Sequence, residues 1–160
     1  MSKAKAYIEF LKKKNQLATG AGLKPVEMHP SLFPHQVDIV RWALQRGKAL
    51  IAASFGMGKS RMQIELLRQV HHQTGRQVLV ICPLGVEHQF IHEDGPAMDV
   101  QFAYIGTDEQ GHNADTPYLI TNYERVRDGQ ISEGFLRSEI AGVCLDEGAI
   151  LGNLGTKTQQ

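Results

Sequence analysis

Two glycines, a lysine and a hydroxyl stand at the spacing that phosphate binding requires in Ala53-Ser54-Phe55-Gly56-Met57-Gly58-Lys59-Ser60. The stretch meets the phosphate-loop pattern G-x-x-x-x-G-K-[ST] everywhere except its first position, where alanine replaces glycine. Gly56 and Gly58 permit backbone conformations that a side chain would block, so successive N–H groups can turn toward phosphate oxygens. Lys59 brings a compact point charge to the terminal phosphates, and Ser60 offers its hydroxyl to magnesium. A helix beginning there adds its positive end. The implied chemistry is the holding of a nucleoside triphosphate. An ordinary glycine-rich strand-to-helix turn would share the glycines but has no use for Lys59-Ser60.

A second cluster follows the apolar run Gly142-Val143-Cys144-Leu145, where Asp146 and Glu147 end a predicted strand. Ligands of open α/β sheets bind beyond the carboxyl ends of the strands. There, Asp146 can hold magnesium through its water shell, and Glu147 can polarise an attacking water as general base. Without the phosphate loop the same pair would read as a capped strand end or a solvated acidic turn.

Both clusters need a frame, and the hydrophobic pattern supplies one. Ala49-Leu50-Ile51-Ala52 reads as a buried strand feeding the loop, and Met62, Leu66, Leu67 and Val70 form a helical stripe after it, broken by Gly75. Upstream, residues Lys3 to Leu17 read as a helix with Tyr7, Ile8 and Leu11 on one face. A loop runs from Pro25 to Pro34, and His35 to Gln45 carries Val37, Val40 and Leu44 at helical spacing before Gly47. Downstream come a strand at Gln77 to Cys82, a helix near Gly85 to Glu93, a weaker strand at Gln101 to Ile105 and a polar loop from Gly106 to Thr116. A strand at Tyr118 to Thr121, a short helix from Tyr123, a polar stretch containing Leu136 and Ile140, and the strand Gly142 to Leu145 complete the chain's pattern. Strands alternating with helices predict an α/β fold, a mostly parallel sheet with helices on both faces. Residues 1–30 are expected to form an N-terminal helix and loop, and 31–160 the nucleotide-binding lobe.

Composition narrows the partners. With 17 basic and 17 acidic side chains over 160 residues, the chain lacks the basic excess of a protein that binds nucleic acid by charge alone, so such binding must be local. Lys12-Lys13-Lys14 reads as a solvated helix face. No run approaches a membrane span or a signal peptide, so the cytoplasm is expected. Cys82 and Cys144 lack metal-type spacing and read as reduced, buried thiols. His88 and His92 have zinc-ligand spacing, but Gln89 stands where H-E-x-x-H needs glutamate, and two solvated histidines are expected. His71-His72 read as favourable charges in a helix's last turn. Trp42, amid Ile39, Val40 and Leu44, is read as core.

Five segments then resemble a family. Pro34-His35-Gln36, the phosphate loop, Cys82-Pro83-Leu84-Gly85-Val86-Glu87-His88-Gln89-Phe90, Ile120-Thr121-Asn122-Tyr123-Glu124, and Leu145-Asp146-Glu147-Gly148-Ala149 occur in the order of motifs Q, I, Ia, Ib and II of superfamily 2 helicases. The flavour is closest to Swi/Snf-type translocases and phage DEAD-like helicases, in which alanine at the loop's first position is common. The resemblance runs from about residue 31 to 158 and implies a RecA-like fold binding ATP and Mg2+. It implies that Gln36 recognises adenine, which suits a carboxamide that matches N6 and N7 with one acceptor and one donor. It also implies that Ser54, Phe55, Gly56, Met57 and Gly58 line the nucleotide with Lys59 and Ser60. Pro83, Gly85, Thr121 and Asn122 would face a nucleic-acid strand, DNA rather than RNA, through backbone and hydroxyl contacts that read no sequence. These four are equally good turn formers. Phe90 stands where remodelling enzymes often have tryptophan and reads as core.

Gly148-Ala149 replaces the Ala-His or Ala-Asp that usually completes motif II, which removes a polar side chain able to couple hydrolysis to strand movement. Leu151-Gly152-Asn153 resembles the Ile-Lys-Asn continuation. Motif III, a second RecA-like lobe and its arginine fingers would lie beyond Gln160. Because such a finger is worth about 10³ to 10⁵ in rate, weak nucleotide binding and very slow turnover are expected of this chain by itself. Two other function classes compete: a nucleotide-binding assembly module that completes its site against a partner, and a phosphate-loop kinase. Glu147 beside Asp146, the lack of an Arg-rich lid segment, and Gln36 disfavour the kinase.

Overall fold

The central apolar run of the second half, Val78-Leu79-Val80-Ile81, has β-branched or long aliphatic side chains at every position and no polar alternation, the pattern of a strand covered on both faces. The computed structural model describes residues 22–53 and 56–147, which fall into two compact units divided after Met62. In chain order the elements are α1 (Pro34–Arg46), α2 (Lys59–Thr74), β1 (Gln77–Cys82), β2 (Phe102–Tyr104), α3 (Asp108–His112), β3 (Tyr118–Asn122), α4 (Tyr123–Arg127), α5 (Glu133–Ser138) and β4 (Ile140–Leu145). Single helical turns link β1 to β2.

In the second unit the four strands are all parallel, in the order β2-β3-β1-β4. β1 lies inside, with five of its six residues buried, which stabilises the unit by about 1.5–3 kcal/mol for each large side chain withdrawn from water. The register pairs Leu79 with Leu119 and Val143, and Val80 with Ile120 and Cys144. Alternation therefore sends Leu79, Ile81 and Leu119 to one face, where Ile105, Ile131 and Phe135 of α5 close a core over them. The opposite face is covered by the 63–74 portion of α2. His71 meets Tyr118 edge-on at 5.3 Å, and Val70 fits over Gly142, where an added Cβ would stand 3.0 Å from Val70 Cγ1. Short caps hold the connecting helices: Asn122 Oδ1 accepts the Arg125 N–H, and Ser132 Oγ the Phe135 N–H.

In the first unit α1 opens with proline at its first turn, and Gln36 reaches back so that its Oε1 accepts the Phe33 N–H, half of a capping box. Val40, Ala43 and Leu44 form its buried stripe. Gly47, at φ 72°, ends it by donating to Ala43 O and Leu44 O. Before α1, Leu23 N–H donates to Leu44 O at 2.9 Å.

Several expectations meet a different structure. Ala49–Ala52 forms no strand, and Leu50 is 85% exposed. An apolar run becomes a strand only when a neighbour completes its ladder, which is a non-local condition. The Gly85 to Glu93 helix is broken: one α-turn at Glu87–Gln89 widens into π-helical Phe90–Asp94, closed by Gly95 N–H to Phe90 O, and a 3-10 turn follows at Pro96–Met98. Gly95 permits this because the carbonyls of Phe90 and Val100 occupy the space of any Cβ. The polar loop from Gly106 contains α3, whose start is held at both sides of its cap: Thr107 Oγ1 accepts from Gln110 N, and Gln110 Oε1 from Gly106 N. Trp42 is not core. It is 42% exposed, with the Arg46 guanidinium 4.9 Å from the ring centroid. The helix expected at Lys3 to Leu17 lies outside the described residues.

Candidate functional site

The candidate loop, in the first unit, is a backbone problem first. Gly56 and Gly58 adopt φ of 79° and 71°, left-handed values that L side chains rarely take. The two glycines differ in their surroundings. Open space faces Gly56, whereas a Cβ on Gly58 would overlap Gln36 Nε2. Gln36, only 2% exposed, donates from that nitrogen to Met57 O at 3.0 Å while its Oε1 accepts from Phe33 N at 2.9 Å. The carboxamide expected to read adenine is thus a brace between the start of α1 and the loop, and it retains one amide hydrogen and one lone pair. Gly58 O accepts the Met62 N–H, the bond that opens α2, so Lys59 and Ser60 occupy the first turn, where amide N–H groups lack helical partners. Ser54 and Phe55 lie outside the described residues.

The candidate acidic pair, in the second unit, is built at the end of β4. Asp146 is held at three points: its N–H donates to Ile81 O at 2.9 Å, its carbonyl accepts from Tyr123 Oη at 2.6 Å, and its Oδ1 accepts from Gln63 Nε2 at 2.9 Å. Burial, and then the negative charge of Asp146, pushes the Tyr123 phenol up to about 12, so it remains a proton donor at neutral pH. Glu147 is exposed and takes φ 50°, a left-handed conformation that costs a non-glycine residue about 1–2 kcal/mol. Strain of this kind is retained where neighbours over-determine the backbone, and here Asp146 is fixed on both sides of its peptide.

Gln63 and Tyr123 were not among the sequence-derived site residues. Gln63 had a signal: a polar residue between Met62 and Ile64, both fully buried. Its Oε1 is buried and has no hydrogen-bond partner.

Of the residues expected to face nucleic acid, Thr121 and Asn122 are buried and engaged internally. Thr121 Oγ1 donates to Ile105 O at 2.7 Å and Asn122 Nδ2 to Tyr104 Oη at 3.0 Å. Pro83 is half-buried, and Gly85 is exposed at φ 92°, with Leu84 between them 71% exposed. The Gly85 N–H donates to Glu87 Oε2 at 2.6 Å. Phe90 is fully buried against Phe102, as expected of core.

His88 and His92 are exposed with ring centroids 4.4 Å apart, and among the described residues no group of three or more His, Cys, Asp or Glu could hold a metal ion. Both cysteines are free thiols. Cys82 is buried and Cys144 half-buried, and desolvation, with nearby carboxylates second, pushes each up to about 12. Among the described residues no helix is long and apolar enough to cross a membrane. No known family model matches the chain.

Proposed function

We propose that this chain is an ATP-binding lobe of a superfamily 2 nucleic-acid helicase or translocase, RecA-like in fold. The observation that carries the reading is the loop itself: two left-handed glycines run into the first turn of a 16-residue helix that begins Lys59-Ser60. Amide donors, a lysine and a hydroxyl at a helix start fit a polyphosphate and little else. In this reading Lys59 neutralises the terminal phosphates, the backbone from Ser54 to Gly58 cradles them, and Gln36 offers adenine its remaining hydrogen and lone pair.

Ser60 and Asp146 are the residues that would hold Mg2+. The fit rests on the chemistry of the donor set, a hydroxyl and a carboxylate, which are the oxygen ligands that magnesium takes. When bound, the ion supplies charge neutralisation at the phosphates. Glu147 would accept a proton from the attacking water, its backbone conformation turning it away from the continuing line of β4. Pro83 and Gly85 would meet the nucleic acid, DNA in this reading, through backbone groups, whereas Thr121 and Asn122 would act by shaping the loop beneath. A second lobe would supply the arginine that accelerates turnover.

The test is nucleotide binding by the full chain, followed with a fluorescent ATP analogue. Lys59→Ala should abolish it, and Glu147→Gln should retain it. Unchanged affinity in the lysine variant refutes the cradle, and brisk nucleic-acid-stimulated turnover by the chain alone refutes the need for a second lobe.

A further inference from the structure

His88 and His92 stand one turn apart in the broken helix after β1, both exposed, with ring centroids 4.4 Å apart and ring planes tilted by 45°. The local backbone brings them this close. In a regular α-helix, side chains four residues apart lie about 40° out of line around the axis. Here the α-turn Glu87–Gln89 runs into π-helical Phe90–Asp94, closed by the Gly95 N–H on Phe90 O at 3.0 Å, and i→i+5 bonding turns the chain through less per residue. The wider turn sets His92 more nearly over His88. Among the described residues neither ring makes a hydrogen bond, so the nitrogens of both stay available to a ligand.

We propose that His88 and His92 form a two-histidine site for a divalent transition-metal ion of the nickel and copper type, which takes the imidazoles as adjacent ligands and completes its shell with water. Neutral imidazole nitrogen suits such ions, whereas magnesium prefers oxygen, so this site is chemically separate from any nucleotide-bound cation. A first-row ion about 2.0–2.1 Å from a ring nitrogen lies about 3.2 Å from that ring's centroid. Two rings meeting at a right angle on the metal then have centroids about 4.5 Å apart, and rings meeting at the tetrahedral angle about 5.2 Å. The observed 4.4 Å matches the right angle of tetragonal Ni2+ and Cu2+ sites better than the tetrahedral angle of zinc. The χ2 torsion of histidine is broad, so exposed rings can turn a nitrogen toward a shared ion at little cost. Glu87 and Asp94, which accept from Gly85 N–H and Gln89 Nε2, add negative charge to the same stretch.

The experiment is calorimetric titration of the full chain with Ni2+ and without nucleotide, so that the result bears on this pair alone. A second ligand on the same turn raises affinity over either ligand alone by about 10²- to 10⁴-fold, so His88→Ala and His92→Ala should each weaken Ni2+ binding by about 100-fold or more. His112→Ala, whose ring packs on Phe135, should bind Ni2+ as the wild type does. Wild-type affinity in either single variant of the pair overturns the assignment, and so does an equal loss in His112→Ala. All three positions are exposed, so the variants should keep the wild-type urea midpoint in the absence of metal. A second readout needs no substitution. Ni2+ is paramagnetic, and of the chain's seven histidines the rings of His88 and His92 should be the first whose NMR resonances broaden as Ni2+ is added. Any other histidine broadening before them overturns the proposal.

Discussion

Gly58→Ala should be far more damaging than Gly56→Ala, although both glycines are left-handed and two residues apart. Each substitution forces an alanine into φ near 70–80°, at a cost of about 1–2 kcal/mol. At Gly56 that is the whole cost, because an added methyl would meet nothing within 4 Å. At Gly58 the methyl takes the position of Gln36 Nε2. A glutamine tip usually moves cheaply, but this one is 2% exposed and makes two hydrogen bonds, to Met57 O and from Phe33 N. Displacing it adds about 1–3 kcal/mol in buried groups left unpaired, for a total of about 2–5 kcal/mol. The decisive measurement is the cycle Gly58→Ala, Gln36→Ala and the double variant. With Gln36 already truncated the methyl has room, so Gly58→Ala should cost only its conformational share, and the two changes should fail to add by about 1–3 kcal/mol. Urea titration followed by the fluorescence of Trp42, the sole tryptophan, reads the unit that contains all three residues. Additivity within about 0.5 kcal/mol would show that Gln36 is not packed on Gly58, and the brace would have to be abandoned.

The thiols and the Tyr123 phenol set an alkaline limit. Each is held protonated in the fold, so its contribution is fully present below the ordinary value, 9 for the thiols and 10 for the phenol. It is lost as pH rises toward about 12, because the unfolded chain releases its protons first. Denaturation midpoints should therefore hold level to about pH 9 and fall beyond it, and a midpoint that rises there would contradict the burial of these groups. By the same reasoning, a thiol reagent at pH 8 should label the buried Cys82 only as fast as the protein opens, and rapid labelling of Cys82 in the native protein would refute it. Phe90→Ala should destabilise by about 3–5 kcal/mol, while Leu84→Ala, at an exposed position, should change stability by less than about 0.5 kcal/mol. Near-equal midpoint shifts would mean that the broken helix after β1 is not packed as described.

Where local chemistry and burial agree, the sequence was enough to place an element. β1 was expected at Gln77 to Cys82 and lies there, because a continuous aliphatic run without polar alternation suits a strand covered on both faces. Gly47 and Gly75, expected to stop helices, take left-handed φ of 72° and 68°. α3 falls within the stretch expected as a polar loop from Gly106 to Thr116, because a helix so short and polar shows no hydrophobic stripe. The π-turn at Phe90–Asp94 was not legible, since it depends on carbonyls from Phe90 and Val100 closing over Gly95.

The candidate loop residues and the acidic pair were read from residue type and spacing alone, because glycine, lysine, serine and carboxylate carry their chemistry wherever the chain places them. What those residues rest on was decided in three dimensions. Gln36 was read as a residue for adenine, and only the fold shows that its carboxamide also bonds Phe33 and Met57. Gln63 and Tyr123, silent in the pattern, are the side chains that fix Asp146 from sequence separations of 83 and 23 residues. Periodicity describes which face of an element is apolar. It carries no record of which polar atom, brought from a distant segment and shut away from water, must find its partner there.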